Sequence, residues 1–81
     1  MDTKIEEMIA LGVAYGINCR SCMEYHKKKA IETGLTKEEI HAAIQVAEGV
    51  KTGAYNKTKE YAKELFGEIT EARCCPVGSE C

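Results

Sequence analysis

Tryptophan is absent from this 81-residue chain, phenylalanine and proline occur once each, and that proline, Pro76, sits close to the C-terminal end. With so few large rings, a core must come from small aliphatic side chains, and a domain this short buries only a modest share of its surface. No run alternates polar and apolar residues with period two, so the chain reads as all-α. The net charge is -2 with acids and bases interspersed, which offers nucleic acid no basic face. The longest apolar-rich stretch, Met8 to Ile17, is too short to span a bilayer and lacks the charged flank and cleavage site of a secretory signal. One domain is expected, without a membrane partner, and the expected location is the cytoplasm, where stable structural disulfides are rare.

What the chain does have is cysteine, five in all. In a short chain of a reducing compartment, that number points to redox chemistry, to metal, or to both. Being odd, it leaves at least one thiol unpaired in a fully disulfide-bonded monomer.

The pattern divides into a helical domain over residues 1–67, with about four helices, and a flexible cysteine-rich tail over 68–81. The first helix runs from about Thr3 to Ile17, with Asp2 or Thr3 as its cap. Ile5, Met8, Ile9 and Val13 form one apolar face, while Leu11, Ala14 and Tyr15 carry apolar character almost all the way round. A helix buried on more than one side asks for a second subunit, and Gly12 and Gly16 would permit close helix approach. The second helix is expected to start with Asn18 as N-cap and to stop at Gly34. Thr36 and Glu39 form a capping box that opens a third helix, with Ile40, Ala43, Ile44 and Ala47 on one face. Gly49 and Gly53 mark a kink or break before a fourth segment that ends near Gly67.

The chemistry lies in "GINCRSCMEYH", Gly16 to His26. With Asn18 as cap, Cys19 and Cys22 both stand in the first turn of a helix, at its positive end, which favours thiolate. Two intervening residues let the sulfurs reach disulfide distance without unwinding the helix. Cys22 and His26 are four apart and share a helix face, so the imidazole can take the thiol proton directly or through a water. Ser21, between the cysteines, offers a hydroxyl donor but no base near neutral pH. The run Lys27 to Lys29 reads as a solvated face, His41 as surface or core, and the tyrosines Tyr15, Tyr25, Tyr55 and Tyr61 as packing residues.

The set Glu7, Cys19-Arg-Ser-Cys22, His26, Ala30, Gly34 and Glu38 to Ile40 resembles the alkyl hydroperoxidase D and carboxymuconolactone decarboxylase family, over about Ile5 to Phe66. The resemblance implies an all-helical homo-oligomer, trimer or hexamer, that needs no bound cofactor. Members with the paired cysteines act as peroxiredoxin-like peroxidases or thiol–disulfide reductases, re-reduced by a thiol or dithiol molecule or protein. By resemblance, protons pass between Glu7, His26, a water and Cys22. Cys22 attacks peroxide or disulfide, and Cys19 resolves the intermediate. Ser21 stands where some peroxidase members carry a second histidine, a departure that favours disulfide exchange over strong peroxidase activity.

The tail cysteines Cys74, Cys75 and Cys81 fall outside the resemblance. They are auxiliary thiols that could exchange with Cys19 or hold a soft metal or metalloid. Two other readings compete: lactone decarboxylation, which needs no dithiol, and a non-catalytic metal site in which Cys19, Cys22 and His26 join a tail cysteine. The metal site makes a cramped tetrahedron on one helix.

Overall fold

The computed structural model describes residues 1–68. They form three helices, α1 (Thr3–Gly16), α2 (Arg20–Glu32) and α3 (Lys37–Phe66), with no strand among them. None of these helices is long and apolar enough to cross a membrane. The tail thiols Cys74, Cys75 and Cys81 lie outside the described residues.

Asp2 caps α1, its carboxylate accepting from the Lys4 amide at 2.7 Å. The end of α1 is set by Asn18, whose φ of 60° makes it the one non-glycine among the described residues in the left-handed region. The Asn18 amide donates to the Tyr15 carbonyl at 3.2 Å and the Cys19 amide to the Ala14 carbonyl at 2.9 Å. This is a Schellman stop with asparagine in the usual place of glycine, a role its short polar side chain tolerates. The expected N-cap role of Asn18 is therefore corrected: a residue turning left-handed to close α1 cannot also hold the extended backbone of a cap. Cys19 takes that place, with φ -95° and ψ 98°.

Gly34 closes α2 by the same motif, as its φ of 91° requires. Its amide donates to Ile31 and the Leu35 amide to Ala30, each at 3.0 Å. Leu35 and Ala30 are both buried, so this stop also contributes to the core. The Thr36–Glu39 capping box then opens α3, both of its hydrogen bonds being formed. The Thr36 amide donates to the Glu39 carboxylate and holds that carboxyl below its ordinary pKa.

The expected break at Gly49 and Gly53 does not occur. Helix α3 is one rod of 30 residues, so the domain has three helices where about four were expected. A glycine costs a helix roughly 1 kcal/mol relative to alanine, too little by itself to end a long, well-capped rod. At 1.5 Å per residue α3 is about 45 Å long, more than twice the length of α1.

Helix α1 lies between the other two, packed along α3 and against α2. Leu11, Ala30 and Leu35 make the core cluster, with Met8, Ile40 and Ile44 packed on it, and Ala14 is buried nearby. The face expected to pack, Ile5 to Val13, turns largely outward within one chain: Ile5, Ile9 and Val13 are each at least 50% exposed. Beside them, α1 and α3 form an open apolar groove of about 570 Å³, floored by Gly12 and Ala47 and walled by Ile9, Val46 and Val50. A methyl group at Gly12 would meet the Ala43 carbonyl and the Ala47 methyl at 3.9 Å, an ordinary packing distance, so Gly12 lies where α1 faces α3 without the helix approach depending on it. Gly16, expected to serve likewise, has nothing within 4 Å among the described residues.

Candidate active site

Cys19 belongs to two helix ends at once. Its amide closes the Schellman stop of α1, and its sulfur caps α2 by accepting from the Cys22 amide at 3.2 Å. The Ser21 hydroxyl stands 3.7 Å from the same sulfur. Capping brings residue 19 over the first turn of its own helix, where the third helical residue points back toward it. That residue is Cys22. The two sulfurs are bonded, with an S–S distance of 2.11 Å and a Cα separation of 5.2 Å. Both cysteines are half-buried, at the junction of α1 and α2.

His26 lies one turn beyond Cys22 on the same face of α2. Its Nδ1 meets the Glu7 carboxylate of α1 at 2.8 Å, with the side chains only 28% and 13% exposed. Glu7 lies beyond the first turn of α1, where Glu6 is the acid that suits the dipole, so the helix end does not explain Glu7. An ionised Glu7 accepts from Nδ1–H. That fixes the tautomer and leaves the Nε2 lone pair free to take a proton. The Tyr25 ring stands edge-on to His26, with centroids 4.9 Å apart.

A second polar group adjoins the site that the sequence pattern did not single out. Lys51 of α3 donates to the Tyr15 carbonyl at 3.2 Å and to Asn18 Oδ1 at 2.5 Å. Its ammonium lies 4.6 Å from the centre of the Tyr15 ring. The Tyr15 hydroxyl donates to Glu48. That bond raises the pKa of Tyr15 and lowers that of Glu48, since both shifts favour the phenol–carboxylate pair. Tyr15 therefore does more than pack: with Lys51 it ties the turn before Cys19 to α3. These partners are over thirty residues apart in sequence, and no local pattern pairs them.

The expected site residues therefore divide in three. Cys19 joins Cys22, and Glu7 joins His26. Both pairs are built on the α1–α2 contact, and the auxiliary thiols lie beyond residue 68. In the disulfide, neither Cys19 nor Cys22 is free to ligate a metal. His41 is exposed on α3, as are Lys27 to Lys29 on α2.

A small helical domain whose α2 opens on a disulfide, with a carboxylate-held histidine one turn on, defines a class: helical proteins with a two-cysteine centre. The model of the carboxymuconolactone decarboxylase family matches residues 1–64, and the chain belongs to that family. It is 35% identical over 72 residues to "Uncharacterized protein 4 in cox locus" of Paracoccus denitrificans, an alignment covering 89% of this chain and 65% of that protein. The chain thus spans just under two thirds of that relative's length. No solved structure matches it.

Proposed function

We propose that this protein is a thiol–disulfide oxidoreductase with hydroperoxide-reducing activity, cycling between a Cys19–Cys22 dithiol and its disulfide. The observation that carries this reading is the bonded CxxC pair at the start of α2, one turn from a histidine held by a carboxylate. His26 Nε2 takes the Cys22 proton, and Glu7 stabilises the imidazolium that results. The Cys22 thiolate then attacks. With a hydroperoxide, the alcohol leaves and a sulfenic acid remains. Cys19 displaces water from it, closing the disulfide. With a disulfide, one thiol leaves at the first step and the second as Cys19 attacks Cys22. Helix-start amides stabilise negative charge on the Cys19 sulfur, which favours Cys19 as resolving thiolate and as leaving group when a thiol reductant reopens the bond. A reducing compartment such as the cytoplasm would supply that reductant. A homo-oligomer assembled through the apolar groove would complete the small core.

The family description also favours decarboxylation of a lactone acid as a second reading. That chemistry needs no dithiol, so Cys22→Ser should abolish oxidoreductase turnover and leave a decarboxylase intact. The direct experiment exposes reduced protein to mild peroxide and to a model disulfide, and maps the cysteines by mass spectrometry over time. The expected result is a Cys19–Cys22 disulfide formed well ahead of any bond to Cys74, Cys75 or Cys81. Oxidation of Cys22 no faster than of the tail thiols would overturn the proposal.

A further inference from the structure

At the turn that carries Cys19 lies a recess of about 440 Å³ lined by Tyr15, Asn18, Arg20, Met23 and Lys51. Two of these residues, Asn18 and Arg20, are the immediate neighbours of Cys19. Two are cations. Lys51 is half-buried and bonds to two neutral oxygens, the Tyr15 carbonyl and Asn18 Oδ1, so those bonds do not cancel its charge. Arg20 is exposed and has no hydrogen-bond or ion-pair partner among the described residues. One carboxylate, Glu48, bonded by the Tyr15 hydroxyl and felt by the Lys51 ammonium, adjoins the recess and offsets one of the two positive charges. The recess therefore holds an excess of positive charge, a planar guanidinium suited to a carboxylate, and an amide and thioether for the rest of a small molecule.

We propose that this recess anchors the carboxylate of a small disulfide substrate, presenting its sulfurs to the Cys19–Cys22 dithiol. The proposal rests on the oxidoreductase reading and names its substrate class. Arg20 and Lys51 bind the carboxylate while Cys22 attacks the nearer sulfur. One carboxylate-bearing thiol leaves, and the mixed disulfide holds the other half in the recess. Cys19 then attacks Cys22 and releases the second thiol. Two electrons pass from the dithiol to the substrate disulfide, and the two thiol protons end on the products. The recess volume falls within the range of small-molecule sites, about 300–1,000 Å³.

The test compares three symmetrical disulfides of similar size: dithiodipropionate, bis(hydroxyethyl) disulfide and cystamine. They end in carboxylate, hydroxyl and ammonium. A bare thiolate, being an anion, reacts fastest with the ammonium compound and slowest with the carboxylate. The recess should reverse that order for the reduced protein. Arg20→Gln should slow dithiodipropionate about tenfold, the worth of one charge-assisted contact, and change the neutral compound less than about twofold. Lys28→Gln, an exposed charge on the same helix, should leave the ratio unchanged. A wild-type rate order of ammonium over hydroxyl over carboxylate, or an equal slowing of all three by Arg20→Gln, would overturn the anchor. A binding measurement separates this failure from failure of the redox reading. Suberate, the all-carbon analogue of dithiodipropionate, is titrated into the oxidised protein while amide resonances are followed. Shifts at Asn18, Arg20 and Lys51 that vanish in Arg20→Gln support the anchor even if no disulfide is turned over. No shift at those residues removes it even if the dithiol exchanges freely.

Discussion

Glu7 and His26 meet across two helices at 2.8 Å, and the contact costs each side chain some of its hydration. A pair of this kind orients the imidazole, and in the proposed chemistry the imidazole itself moves the proton. His26→Ala should therefore slow disulfide formation in peroxide by about a hundredfold at neutral pH, the usual worth of a general base. Glu7→Gln keeps a hydrogen-bond partner but removes its charge, so the loss should be smaller, on the order of tenfold. Rapid-quench alkylation followed by mass spectrometry reads both rates. Equal rates in His26→Ala and wild type would remove His26 from the chemistry. The CxxC and its i+4 histidine were legible because short spacings on a helix translate directly into a shared face. Lys51, Glu48 and Tyr15 were not, because nothing local tells a lysine on α3 that it will bond to the turn before Cys19.

At the scale of the helix, the Thr36–Glu39 box and the Gly34 stop were both readable, since each depends on residue types at fixed offsets. The start of α2 was displaced by one residue. Asparagine serves equally at an N-cap and in a left-handed turn, and only the tertiary turn between α1 and α2 chooses between them. The continuity of α3 was illegible for the opposite reason. Two glycines weaken a helix without ending it, and the decision falls to the 30-residue rod around them. Gly53 has nothing within 4 Å among the described residues, so a methyl group there meets no obstacle in the single chain. Gly53→Ala should raise stability by roughly 0.5–1 kcal/mol, measurable as a higher midpoint in urea with an unchanged slope. A lower midpoint would mean that the rod bends at this residue.

For the whole molecule, the small core is the central fact. Leu11, Ala14, Ala30 and Leu35 are the buried apolar side chains among the described residues, while Val46 and Val50 on α3 are 71% and 68% exposed. That balance is unusual for a stable monomer of this size. The apolar excess of α1 was visible in the sequence, but which side faced inward was not. Periodicity shows that a face exists, and it gives no order among competing faces. If a second copy fills the groove, Ile9→Glu should place a charge in that interface and shift the protein to monomer at micromolar concentration. Analytical ultracentrifugation of the two proteins side by side would show it, and a monomeric wild type would sink the assembly.

Cys19 ends one helix and begins the next, and neither duty requires sulfur. Serine, a one-base change from cysteine, caps a helix at least as well, and its amide would close α1 equally well. On the proposed function, a single mutational step could therefore remove the electron chemistry while both helix ends keep their caps. The fold and the proposed redox centre are then separately heritable, because the junction that joins the two helices does not depend on the thiol that would carry the electrons.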